Sequence, residues 1–335
     1  SAFAEQSGGT RKDFASALFL CLQGGSMRKL TFTVPAEYGD AQLKGFLRHF
    51  CGVSARLLTD LKKEPLGITV NGAHATVRKI LQVGDRVQLM LPEDSAAPEP
   101  VDLPLVPLYE DSDLLAVDKP TGMPVHPSFG HARDSLANAV AAYFQRRGES
   151  LAFRPIYRLD RDTTGVLVLA KNPYAAARLA QGISKVYLAV CEGVLEGSGT
   201  EDGPIERLPG HTIQRCVCRD GIRAVTHWRT LCHSQSHTLL AFRLETGRTH
   251  QIRVHMAHRG NPLAGDDLYG GSRIYIDRQA LHCVQASFRH PVTGKDRCII
   301  APLPRDFCTL LEICGLQFPQ NLSGDACEVD RFYEF

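Results

Sequence analysis

The sequence predicts an α+β fold: a larger unit built on a mixed, largely antiparallel sheet, with a smaller α/β unit ahead of it. Three observations carry this expectation. Strand-like and helix-like apolar patterns are mixed along the second part of the chain. An acidic, proline-rich stretch at 93–107, EDSAAPEPVDLPLVP, has no periodicity and reads as an extended linker. A length of 335 residues exceeds the usual single-domain size, so one large domain and one small one are expected.

Residues 1–27 are set apart as an extension. They begin with Ser, and Phe14 to Leu22 behind Arg11 and Lys12 has the length of a signal-peptide core but is too short to span a bilayer. Met27 opens a sharply different segment, and a cytoplasmic protein is expected. In the small unit, 28–92, apolar residues recur at helical spacing: Leu43, Phe46, Leu47 and Phe50, then Val53, Leu57, Leu58 and Leu61, with Gly52 between. Two short helices fit. The segments ITVNG and VGDRVQLMLPE alternate apolar and polar residues beside the turn signals Asn71-Gly72 and Gly84-Asp85, and read as strands. This stretch holds ten Lys or Arg against five Asp or Glu, whereas the whole chain carries only +2. The local excess points to a polyanion.

From Leu108 to 312, LLAVDKP, SLANAVAAYFQRR, VLVLAKN, PYAAARLAQGI and KVYLAVCEGVL mix the two patterns. Three further runs, TIQRCVC, AVTHWRTL and TLLAFRLE, are expected as consecutive antiparallel strands. Residues 313–335 are read as a tail. The composition, 44% hydrophobic and 22% charged, is that of a globular chain. The 11 cysteines are odd in number and contain no CxxC pair, which excludes a disulfide framework and a zinc ribbon; reduced, largely buried thiols are expected.

Chemistry is concentrated in RLDRDTTG, Arg158 to Gly165, where two Asp and two Arg stand at the mouth of an apolar strand. By itself such a cluster also reads as a structural ion-pair network. Two segments change that reading: KVYLAV, which sets Tyr187 in an apolar strand, and GRTHQIRVHMAHRGNPLAGDDLYG, Gly247 to Gly270. Together with Lys119-Pro120-x-Gly122, His126-Pro127 and the late FRHPVTGK, all in order over about residues 108–305, they resemble the RluA-type RNA pseudouridine synthase family. Residues 28–92 resemble the S-four (alpha-L) RNA-binding domain.

The resemblance implies that the chain isomerises uridine in structured RNA with no metal or other cofactor; the S-four-like domain favours large-subunit ribosomal RNA over transfer RNA, and a non-catalytic RNA-binding factor is the alternative that loss of Asp160 or Tyr187 would have signalled. It implies Asp160 as the carboxylate that acts on the nucleotide; a carboxylate can attack or stabilise an anomeric carbon. Arg248 matches the arginine that keeps this carboxylate ionised against desolvation. Tyr187 matches the active-site tyrosine, and Arg158 the arginine that enters the RNA stack where the target base leaves it. Arg56, Lys62 and Lys63 fall on the basic second helix that meets phosphates in the small domain. Two departures from the family pattern are Tyr157, where His is usual, and Thr164, where Ser is usual. A metallohydrolase reading of His250, His255, His258, Asp266 and Asp267 fails on spacing, since HxxxxHxxH lacks the HExxH arrangement. No GxSxG elbow supports a serine hydrolase. The partner expected is RNA, with no membrane, and the chain is expected to act as a monomer.

Overall fold

In the computed structural model, described for residues 28–92, 97–180 and 182–317, the chain builds separate sheets on either side of the proline-rich stretch. The readings of residues 1–27 and of most of the tail lie outside the described residues.

The first unit has strands β1 (Lys29–Thr33), β2 (Ile68–Val70), β3 (Ala73–His74) and β4 (Arg86–Met90), in the order β1-β4-β2-β3 and antiparallel throughout. The Asn71-Gly72 turn joins β2 to β3 with positive φ at both residues, as a tight hairpin requires. Helix α1 starts at Leu43–Gly45 and continues as a π-turn at Phe46–Phe50; α2 spans Ala55–Leu61 behind the Ser54 cap. Leu43, Phe46, Leu47, Val53, Leu57, Leu58 and Leu61 are all buried in one core. Phe50 is not, contrary to the 3.6-residue pattern: it is 44% exposed. The π-turn, closed by the Cys51 N–H donating to the Phe46 carbonyl at 3.0 Å, adds one residue to the turn and rotates Phe50 outward.

The second unit is a nine-stranded sheet. Its strands are β5 (Val106–Glu110), β6 (Leu114–Lys119), β7 (Thr164–Ala170), β8 (Ile183–Glu192), β9 (Ser198–Glu201), β12 (Thr226–His233), β13 (His237–Leu244), β14 (Leu281–Arg289) and β15 (Asp296–Ile300); β10 (Ile205–Arg207) and β11 (Arg215–Val217) form a separate hairpin. The order is β5-β6-β7-β14-β8-β13-β12-β9, with β15 on β14. Only β7 and β14 run parallel among these pairs. Helices α3 (Leu136–Gln145), α4 (Pro173–Leu179), α5 (Gln251–Arg259) and α6 (Arg305–Ile313) complete it.

Two boundaries differ from the sequence reading. The strand begins at Val106, inside the stretch read as linker; Pro107 is accommodated because β5 is the sheet edge. TIQRCVC does not join the β12–β13 pair. Its Arg215–Val217 pairs with β10, and the free edge of β12 is taken by Ser198–Glu201.

The parallel step from β7 to β14 sets up the site. Gly165 has φ 111°, and a Cβ there would lie 2.2 Å from the Cys283 carbonyl oxygen. Only glycine lets the two backbones approach this closely. The loop ahead of β7 is thereby set beside the start of β14, where His282 and Cys283 pair with Thr164 and Gly165 on one side and with Leu188 and Tyr187 of β8 on the other.

Candidate active site

Asp160 lies in that loop, in a turn closed by the Thr163 N–H donating to its carbonyl at 3.1 Å, and its side chain is 23% exposed. Below the loop, Lys119 at the end of β6 is fully buried. Its ammonium donates to the carbonyls of Pro120, Met123 and Arg161, each at 2.8 Å, and so ties the residue after Asp160 to the KPxG turn. Burial pushes this lysine down to about 7, against the upward pull of Asp162 and Asp160.

The arginine facing Asp160 is Arg253, not Arg248. Nη1 of Arg253 is 3.4 Å from Oδ2 of Asp160, while its Nε and Nη2 grip buried Asp266 at 2.6 and 2.7 Å. Its guanidinium also stands 5.0 Å from the Tyr269 ring centre. Arg248 precedes α5 and is exposed, and its Nε donates to the Arg223 carbonyl at 3.0 Å. The physical reason is the helix start. Arg253 falls in the first turn of α5, where the helix turns it inward beside buried Ile252 and Val254, whereas Arg248 remains in the rim loop. Both arginines are in the GRTHQIR segment, and spacing alone does not separate them.

Tyr187 on β8 lies opposite Cys283 on β14 and is buried. Burial first, then Cys283 and Asp160, hold the phenol well above its usual range. It is therefore a protonated ring at neutral pH. Asp160, Tyr187, Arg253, His250, Arg248 and Arg158 line one cleft of about 620 Å³, with Arg158 exposed at its rim. The cleft is large enough for a base and its ribose.

Arg56, Lys62 and Lys63 stand apart from this cleft, on and just after α2 in the first unit. All three are exposed, and Lys63 Nζ pairs with Asp60 at 2.7 Å. The residues of the metal reading do not converge. Nδ1 of His255 accepts from the Thr226 hydroxyl and its Nε2–H donates to the Gly203 carbonyl, both at 2.8 Å, while Asp266 serves Arg253.

The two departures from the family pattern have partners. Tyr157 donates its hydroxyl to the Val166 carbonyl at 2.7 Å, under the Lys185 ammonium 4.8 Å from its ring centre. Thr164 donates to Nδ1 of His282 at 2.8 Å. Reasoning from sequence missed Arg253, Lys119, His250 and Tyr269 as site residues. The signal existed, since each sits in a segment already set apart, but which member points inward is a matter of packing.

The sequence model for RNA pseudouridylate synthase matches residues 113–258. The chain is 41% identical over 273 residues to the uncharacterized RNA pseudouridine synthase YjbO of Bacillus subtilis, spanning 78% of this chain and 95% of that one. It is 39% identical over 248 residues to ribosomal large subunit pseudouridine synthase D of Escherichia coli K12, spanning 68% and 76%. Among solved structures it resembles human RNA pseudouridylate synthase domain containing 4 in fold, at a TM-score of 0.53 and 22% identity, covering 64% of this chain and 95% of that one. The sheet, the cleft and these likenesses define an RNA-uridine isomerase. The chain belongs to the RluA-type RNA pseudouridine synthase family.

Proposed function

We propose that this protein converts specific uridines of large-subunit ribosomal RNA to pseudouridine, with Asp160 as the catalytic carboxylate. The observation that carries the reading is the convergence of Asp160, Arg253 and Tyr187 on one cleft from three segments far apart in sequence. The ribosomal target rests on similarity to the large-subunit enzymes.

The chemistry follows from these groups. Asp160 meets ribose C1′ as the C1′–N1 bond breaks, and the Arg253 guanidinium stabilises the carboxylate. The freed uracil turns against the Tyr187 ring, C5 bonds to C1′ and the carboxylate is released. The C5 proton is lost and N1 gains one, so reactant and product have the same composition. Arg158 at the rim fills the space left in the RNA stack. Arg248, exposed on the same rim, is assigned to the RNA rather than to Asp160. In the first unit, taken as an S-four-like domain, Arg56, Lys62 and Lys63 contact phosphates, and the enzyme works as a cytoplasmic monomer.

Mapping pseudouridine across all cellular RNA with and without the gene tests the target. Loss of a large-subunit site is expected; loss only in transfer RNA would replace the ribosomal assignment. Asp160→Asn keeps the shape and removes the nucleophilic charge, so it should bind RNA and release no tritium from C5-labelled uridine. Turnover well above background would remove Asp160 from this role.

A further inference from the structure

Asp160 has a second neighbour that the reaction above does not use. His250 lies immediately before α5 with φ 59°, a left-handed conformation that costs a non-glycine residue free energy and persists only where surroundings enforce it. Its side chain is 10% exposed, and Nε2 stands 4.0 Å from Oδ2 of Asp160, the same oxygen that Arg253 faces. On the other side of the ring, Nδ1 is 2.8 Å from the Tyr269 hydroxyl.

The hydrogen bonds fix the tautomer. The backbone N–H of Arg215 donates to the Tyr269 oxygen at 2.9 Å. The tautomer that satisfies every group has Tyr269 donate its proton to Nδ1 and the imidazole hydrogen on Nε2, the nitrogen turned toward Asp160, whose carboxylate can only accept. Burial, with Arg253, Arg215 and Arg158 adding to it, pushes the ring down to about 4 against the pull of Asp160, so it is neutral at physiological pH. The segment GDDLYG supports both donors: Asp266 grips Arg253, and Tyr269 holds His250 while its ring stands against the Arg253 guanidinium.

We propose that His250 is a positioning residue for Asp160: its Nε2–H, set by Tyr269, covers Oδ2 beside Arg253 and leaves Oδ1 as the oxygen that meets the ribose. The left-handed backbone is what aims the ring at the carboxylate from the N-terminus of α5. Arg253 Nη1 reaches Oδ2 at 3.4 Å, while His250 Nε2, at 4.0 Å, must move by about 1 Å to donate to it, a closure assigned to the complex with the nucleotide. This inference rests on Asp160 being the catalytic carboxylate.

The test uses the full-length protein, a large-subunit ribosomal RNA transcript labelled with tritium at C5 of uridine, and single-turnover rates at saturating RNA. His250→Gly relieves the backbone strain, so a merely structural role predicts an unchanged rate and an equal or higher Tm. The positioning role instead predicts a saturated rate about 10- to 100-fold lower with RNA affinity unchanged. Tyr269→Phe keeps the ring against Arg253 and removes the hydroxyl that fixes the tautomer; a fall of about 10-fold is expected, and the double variant should be no slower than His250→Gly alone. A full saturated rate in His250→Gly, or losses that multiply in the double variant, overturns the inference. Asp160→Asn, run alongside, separates the two ideas. If it stays active the catalytic reading itself falls; if it is dead while His250→Gly is fully active, only the positioning role falls.

Discussion

Arg253 serves two carboxylates with one guanidinium, and the two differ in burial: the Asp266 side chain is fully buried and that of Asp160 is 23% exposed. Breaking the pair therefore acts on stability as well as on chemistry. Arg253→Met leaves Asp266 charged and unpaired in the interior, a loss of about 3–5 kcal/mol, and activity should fall with it. Arg248→Met removes a rim contact to one carbonyl and should leave Tm within a degree or two while raising the RNA concentration needed for half-maximal rate. Thermal melts and RNA titrations of the two variants check the assignment; equal melts would mean that Arg253 is not the buried partner. A second residue carries a pH signature. His282, bonded to the Thr164 hydroxyl, is pushed down to about 4 by burial. A histidine depressed below its unfolded value of about 6.5 contributes its stability fully above that pH and loses it as pH falls toward 4. At about 1.4 kcal/mol per unit the wild type should lose about 3 kcal/mol relative to His282→Gln over this window. Urea midpoints of both proteins at pH 7, 5.5 and 4 read this directly, and a gap constant with pH would refute it.

At the level of elements, the site is a loop clamped from two sides. Gly165 seats it against β14, and the Lys119 ammonium ties it to the end of β6. Lys119→Met strands three carbonyls, each costing about 1–3 kcal/mol, but also removes a buried charge whose desolvation opposes folding. The two effects partly offset, so a net loss of about 1–3 kcal/mol is expected. The larger effect should be on turnover at saturating RNA, because the freed Arg161 carbonyl adjoins Asp160. A variant with normal turnover would show that the loop holds its shape without this tie. The elements themselves were largely readable from sequence. RVQLM alternates in burial as its pattern requires, while ITV, the VLVLA run and the SLANAVAAYFQ segment were readable as continuous apolar stretches because they are buried on nearly all sides. Phe50 failed because a π-turn changes the period within one helix, and TIQRCVC failed because strand pairing is chosen by distant partners.

Across the whole molecule, the two units are joined by more than the linker. Arg28 forks onto buried Asp113 at 2.9 and 2.7 Å, and Tyr174 of α4 enters the core of the first unit, donating its hydroxyl to the Cys51 carbonyl at 2.7 Å. The linker is also fastened, with the Val101 N–H donating to the Asn138 carbonyl at 3.2 Å and Asn138 Nδ2 to the Glu99 carbonyl at 2.8 Å. The proposed phosphate contacts of Arg56 and Lys62 are thus carried at a set distance from the cleft. Replacing both with Ala should flatten log affinity against log salt by about 1.4–1.8, with the saturated rate kept. Adding Lys63→Ala should change the slope less, since its charge is already opposed by Asp60. An unchanged slope would remove these residues from RNA binding. The sequence by itself determined the α+β class, the family and the segments that line the cleft, because periodicity, composition and ordered motifs are properties of the chain. The tertiary structure decided which arginine faces Asp160, that a buried lysine holds the loop, and that His250 and Tyr269 stand behind the carboxylate. Those choices depend on how β7, β14 and the start of α5 pack together, and packing between segments about a hundred residues apart leaves no local pattern to read.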